Sequence, residues 1–235
     1  MTTCSYAQQE NLQVRMQTNF GIVVIELFPQ KAPKTVQNFL RYVDEGFYDD
    51  TLFHRVVKNF IIQGGGYTKN YEKKPTHEPI INESHNGLKN LRGRVAMART
   101  FDDPNSATAQ FFINITDNPS LDYQYSLDEA GYTVFGQVIK GIEVIDKMKM
   151  VETATINNIG KDVPKEMIVI AKVTVQGKTD ISSFVPIEES ETSPIVPEPT
   201  QRSLSPERPL TNSQADQISR PPDDPSKPDK PIPLP

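Results

Sequence analysis

The chain has 235 residues, with 20 prolines, 12 glycines, one cysteine and a formal net charge of -5, enough for one folded domain of ordinary size with residues to spare. Its composition changes near residue 178: beyond it lie 13 of the prolines with 5 Lys+Arg and 10 Asp+Glu, whereas every glycine lies at or before Gly177. The first part is electrically balanced, which argues against nucleic-acid binding; no apolar stretch nears the roughly 18 to 20 residues of a membrane span, and the lone Cys4 excludes an internal disulfide framework.

Residues 1–14 read as a polar leader without the basic start and apolar run of a secretory signal, so a cytoplasmic location is expected. Gly21 to Phe28 is rich in β-branched residues and predicts a mostly buried strand that Pro29 ends. Pro33 then pre-sets the first turn of a helix, and Val36, Phe39, Leu40 and Val43 follow at the spacing of one apolar stripe, with Gly46 as its C-terminal stop. From residue 51 short β-type runs recur at Leu52 to Val57, Phe60 to Gln63, Val95 to Arg99, Gln110 to Ile115, Thr133 to Ile139 and Met167 to Val175. Turn-rich links such as Gly64-Gly65-Gly66, Asn86-Gly87 and Asp102-Asp103-Pro104-Asn105 separate several of them. A second helix is predicted at Ile142 to Met150. Many short strands with only two helices imply an antiparallel sheet or closed barrel and a mainly β fold class.

Residues 15–178 therefore form the folded domain, and residues 179–235 a proline-rich, acidic, disordered tail. The tail has Pro-x-x-Pro spacings such as Pro194/Pro197 and Pro225/Pro228, with local polyproline II character expected. Such segments serve as ligands for groove-bearing partners, and equally as solvated spacers.

His54, His77 and His85 lie in no metal-ligand spacing, and no Ser-His-Asp or Cys-His arrangement stands out, so neither metal nor cofactor is expected. Two compact clusters instead mix one cation, amides and aromatics: the run from Phe53 to Gly65, and Ala109-Gln110-Phe111-Phe112-Ile113-Asn114. Arg55, Gln63 and Gln110 each sit in strongly apolar surroundings, where a polar side chain is costly unless it is paired or lines a cleft. The residues alone leave two readings open. Either these groups line a pocket with a few fixed hydrogen-bonding groups, or Arg55 pairs with a surface carboxylate while the amides face water.

In order and spacing, Phe53-His54-Arg55, Phe60-Ile61-Ile62-Gln63-Gly64-Gly65, Gln110-Phe111-Phe112-Ile113-Asn114 and Val134-Phe135-Gly136 resemble the cyclophilin signature. The resemblance extends from Met16 to Gly177, and Asn86-Gly87-Leu88-Lys89-Asn90 and Ser106 to Phe112 are similar to the compact bacterial cytosolic branch. It implies a closed eight-stranded antiparallel barrel capped by two helices, acting as a peptidyl-prolyl cis-trans isomerase on proline-containing peptides and on unfolded or folding proteins, as a monomer.

The same resemblance implies roles for individual residues. Arg55 would be catalytic, with Gln63 binding substrate backbone and orienting it, and Gln110 would lie along the groove. Phe60, Ile61, Phe112 and Leu121 would seat the proline ring, with Ile61 standing where relatives usually have Met. Ala98 and the backbone of Arg99 would contact the peptide, and Tyr132 would close the pocket where many members have His. Ser120 falls where relatives carry an aromatic anchor for cyclosporin, so weak cyclosporin binding is expected. Two rival readings remain open here: a barrel that binds proline peptides without turnover, and a scaffold acting through the tail. The tail could also present its own Xaa-Pro bonds to the site at high effective concentration.

Overall fold

The structure, a computed structural model, describes residues 12–157 and 159–176. Cys4, most of the polar leader and the proline-rich tail from residue 179 lie outside the described residues.

Strands β1 (Gln13–Thr18) and β2 (Gly21–Leu27) pair as an antiparallel hairpin. In β1 the fully buried Val14 and Met16 alternate with Gln13, Arg15 and Gln17, the period-two pattern of a strand with one solvated face. The sequence reading omits this strand and places its first two residues in the leader, because its polar members dominate the local composition.

Helix α1 (Pro33–Asp44) buries the predicted stripe of Val36, Phe39, Leu40 and Val43. It ends where Gly46 takes a φ of 65°, with the Gly46 amide donating to the Val43 carbonyl at 3.0 Å and the Phe47 amide to the Tyr42 carbonyl at 2.9 Å. Those two bonds satisfy carbonyls that the helix itself leaves free. At the other end the Glu83 carboxylate accepts from the backbone amides of Lys34 and Thr35 at 3.1 and 2.9 Å, an anion where unpaired N–H groups and the helix dipole favour one.

The run read as one strand from Leu52 to Val57 is two segments separated by His54. β3 (Thr51–Phe53) pairs with β11 (Ile168–Gln176), while β4 (Arg55–Val57) pairs with β5 (Ile61–Gly64). With β6 (Arg94–Met97), β7 (Phe111–Asn114) and β8 (Val134–Lys140), the sheet runs in the order β3-β11-β1-β2-β8-β6-β7-β5-β4, every neighbouring pair antiparallel. Its two ends are consecutive pieces of one strand path, so the sheet returns on itself as the expected eight-stranded barrel.

Inward-facing side chains, among them Val56, Ile62, Val95, Phe111, Ile113 and Phe135, join residues of both helices in one core. Phe111 is its aromatic centre: its ring lies 5.7 Å from Phe39, 5.6 Å from Tyr48 and 5.8 Å from Phe53, each edge to face. Helix α2 (Ile142–Met148) adds Val144, Ile145 and Met148, and stops two residues short of the predicted Met150, which is 69% exposed. A separate hairpin of β9 (Thr153–Ile156) and β10 (Gly160–Pro164), absent from the sequence reading, lies against β4. Among the described residues no helix is long and apolar enough to cross a membrane.

Candidate active site

Strand register builds the site on the outside of the barrel. Across five strands Arg55 faces Gln63, Gln63 faces Phe112, Phe112 faces Ala96, and Ala96 faces Val134. The neighbouring row, Val56, Ile62, Ile113 and Val95, points into the barrel, with Gly136 continuing it on β8 without a side chain. Because side chains alternate along β4, a slip of one residue there would exchange the two rows and bury the arginine.

At one end of the outer row the polar groups are linked. Arg55 Nη1 lies 3.5 Å from Gln63 Oε1, a long contact, and Gln63 Nε2 donates to Gln110 Oε1 at 2.9 Å. The glycine run makes room for this chain of amides: a Cβ on Gly66 would come within 2.6 Å of the Gln110 side chain. Arg55 also pairs with the carboxylate of Asp162 on β10, Nε to Oδ2 at 3.8 Å, each side chain 39% exposed. Arg55 thus has a carboxylate partner, as one reading of the sequence expects, while Gln63 and Gln110 bond to each other.

At the other end the outer row is apolar. Ile61, Ala96, Phe112 and Val134 form a second buried cluster, distinct from the barrel core, with Val57, Phe60, Leu88, Ala98, Leu121 and Tyr132 packed on it. Phe60, Ile61, Phe112, Leu121, Tyr132 and Ala98, singled out in the sequence, are therefore brought together beside Arg55, Gln63 and Gln110. Phe60 stands outside β5, in the turn that follows Asn59 with its φ of 56°. A cavity of about 260 Å³ continues from Gln63 and Gln110 past Ala98 and Arg99 to Lys73.

Arg99 departs from a purely backbone role. Its guanidinium, 2% exposed, forms an ion pair with Asp128, donates through Nε to the Gly131 carbonyl at 2.9 Å, and covers the Tyr132 ring at 4.4 Å. Burial pushes the Asp128 carboxyl up, but hydrogen bonds from Arg99, the Ala130 amide and Ser126 outweigh it and hold the group below its ordinary value. Burial also raises the Tyr132 hydroxyl, with the Arg99 charge opposing, so Tyr132 meets the pocket as a neutral phenol. Arg99 thereby ties the segment before β8 to the pocket wall.

The sequence reading missed the frame behind the apolar cluster. Asn118 Nδ2 donates to Asn114 Oδ1 at 2.7 Å and to the Phe60 carbonyl at 2.9 Å. Asn114 donates to Asn90 Oδ1 at 3.2 Å, and Asn90 to the Leu121 carbonyl at 3.1 Å, with the Asn90 amide held by Asp122 at 2.7 Å. All four side chains are buried, and together they fix the backbone of Phe60 and Leu121. The available signal was asparagine at the end of an apolar strand, where only a bonded amide is tolerated.

His54, between β3 and β4, is buried, and its Nδ1 has no hydrogen-bond partner among the described residues. Desolvation, helped by the charge of Arg55 and partly offset by the Leu52 carbonyl, lowers its pKa to about 4 from 6.5. The folded state thus holds the ring neutral while the unfolded chain protonates it below about 6.5, so stability is complete above that pH and is lost as pH falls towards about 4. The unfolding free energy is expected to drop by about 2 kcal/mol between pH 7 and pH 5 from this group. Urea titrations at the two pH values should show that slope in the wild type and its loss in His54→Gln.

A half-exposed guanidinium joined to two amides lies along the edge of a buried apolar cluster, on the outer wall of the antiparallel barrel. Residues 13–175 match the family described as cyclophilin type peptidyl-prolyl cis-trans isomerase/CLD. Peptidyl-prolyl cis-trans isomerase B of Escherichia coli is 53% identical over 163 residues, covering 69% of this chain and 98% of that protein. A peptidyl-prolyl cis-trans isomerase of Acinetobacter baylyi is 49% identical over 166 residues, covering 71% and 86%. A solved Cryptosporidium parvum cyclophilin type isomerase, crystallised in the presence of the dipeptide Ala-Pro, matches with a TM-score of 0.57 at 29% identity over 70% of this chain and 99% of that one. The chain belongs to the cyclophilin-type peptidyl-prolyl cis-trans isomerase family.

Proposed function

We propose that the groove beside Arg55 binds Xaa-Pro segments of peptides and of unfolded or folding proteins and catalyses their cis-trans isomerisation. The observation that carries this reading is the junction of the Arg55-Gln63-Gln110 chain with the Ile61 and Phe112 cluster. Rotation about an Xaa-Pro bond breaks no covalent bond and calls for neither nucleophile nor metal; the obstacle is amide resonance, worth about 18 to 20 kcal/mol.

Phe60, Ile61, Phe112 and Leu121 seat the proline ring, Tyr132 closes that seat, and Ala98 with the backbone of Arg99 contacts the preceding residues. Gln63 and Gln110 hold the peptide backbone and orient the cation. As the bond twists, lone-pair density returns to the prolyl nitrogen, and the Arg55 guanidinium donates to it. That interaction is stronger in the twisted than in the planar state, which is the requirement for acceleration. Arg serves better than Lys because its planar fork donates in two set directions.

Exchange between the cis and trans forms of an Ala-Pro peptide, measured by NMR with the wild type and with Arg55→Ala, tests the reading; equal rates for the two would overturn it. The protein is further proposed to be a cytoplasmic monomer. Ser120, exposed in the 3-10 turn Pro119–Leu121, offers no aromatic surface to a bulky apolar macrocycle. Cyclosporin is accordingly expected to inhibit only weakly, and inhibition at nanomolar concentration would contradict that.

A further inference from the structure

We infer that Asp162 is a positioning residue for Arg55, holding the guanidinium at Nε while Gln63 meets it at Nη1. The inference rests on the proposed role of Arg55 and adds a second element, the β9-β10 hairpin, to the machinery of that site.

Local backbone geometry and packing converge on Asp162. The hairpin is out of step there: Gly160 faces Ile156 while Val163 faces Ala154, so Lys161 and Asp162 together oppose the single residue Thr155. Such a bulge re-aims a side chain that a regular strand would direct elsewhere. At the bulge Asp162 adopts a φ of 65°, a left-handed conformation that among side-chain-bearing residues Asp and Asn take most readily. The residues that follow, Val163 and Pro164, are buried and anchor the strand. The carboxylate so presented stands 3.8 Å from Arg55 Nε.

The consequence is orientation rather than bonding. At 3.8 Å the contact is a charge pair, not a hydrogen bond. Asp162 attracts the Nε edge of the guanidinium while Gln63 Oε1 meets Nη1. Arg55 Nη2 donates to no protein group among the described residues, which leaves it for the substrate. A flexible arginine with 39% of its side chain exposed samples many rotamers; fixing it from two sides places its donors before substrate arrives, and preorganised donors lower the barrier without reorganisation during the reaction. Neither partner alone does this, since Gln63 constrains one nitrogen at the long limit of a hydrogen bond.

The left-handed backbone makes the test clean, because asparagine and glycine both accept a φ of this kind and remove the charge without straining the fold. For Asp162→Asn and Asp162→Gly, kcat towards an Ala-Pro peptide is expected to fall about fivefold, the scale of one half-exposed ion pair, with KM within twofold and an unchanged melting temperature. Asp162→Glu should recover part of the loss. In 15N relaxation measurements the Arg55 Nε–Hε order parameter should fall in Asp162→Asn. Wild-type kcat and an unchanged order parameter in both variants, beside a deeply impaired Arg55→Ala, would overturn the positioning role alone. An unimpaired Arg55→Ala would overturn the catalytic assignment and this inference with it.

Discussion

Arg55→Ala is expected to lower kcat/KM for an Xaa-Pro peptide by about 100-fold, the usual scale for removing one preorganised donor from a developing charge. The loss should appear in kcat far more than in KM, because the guanidinium meets the nitrogen most strongly only in the twisted state. The proposed seat of the proline ring, Phe60, Ile61, Phe112 and Leu121, is left intact by the substitution. Stability should change little. The Arg55 side chain is 39% exposed, and both of its partners reach solvent or another amide when it is gone. Arg55→Lys is expected to recover only part of the rate, since a lysine ammonium restores charge but not the two-directional fork. Comparison of kcat, KM and melting temperature for the three proteins checks all of these together.

The largest expected effect on the fold lies one residue from the site. Phe111 and Phe112 are adjacent on β7 and point to opposite faces, the first into the barrel and the second into the groove. Phe111 is fully buried and makes edge-to-face contacts with Phe39, Tyr48 and Phe53. Phe111→Ala therefore removes a whole buried ring and leaves a cavity ringed by aromatics that cannot collapse, at an expected cost of about 3 to 5 kcal/mol. Against a total of about 5 to 15 kcal/mol for a domain, that is enough to bring unfolding near physiological temperature. Urea unfolding followed by circular dichroism measures it; a loss below about 1 kcal/mol would mean that the barrel interior can repack around the gap.

Much of the architecture was legible because it follows from local pattern. The stripe Val36, Phe39, Leu40 and Val43, the proline at the start of α1 and the glycine at its end specify a helix by themselves, and the structure shows all three. Most strands were visible as β-branched and aromatic runs. β1 was not, since four of its six residues are polar, and the β9-β10 hairpin was not, since its short runs around Gly160 have no clear alternation. The split at His54 was likewise hidden: the run reads continuously, and only pairing to two different strands breaks it.

The same division holds for the site. Arg55, Gln63 and Gln110 stood out as polar groups in apolar runs, an incongruity readable residue by residue. The roles of Asp162, Asp128 and the Asn90-Asn114-Asn118 frame could not be read that way, because each depends on a partner far along the chain: 107 positions separate Arg55 from Asp162, and 58 separate Asn118 from Phe60.

By itself, then, the sequence determined the mainly β class, the two helices, the change of composition near residue 178 and which polar residues needed explaining, since hydrophobic period, turn chemistry and the cost of burying charge all act locally. Only the tertiary structure decided that the sheet closes through β3 and β4, that one register row faces the groove and the next the core, and that Arg55 is held between Gln63 and Asp162. Those outcomes depend on strand pairing and on contacts between distant segments, whose energies arise only once the chain has folded to bring them together.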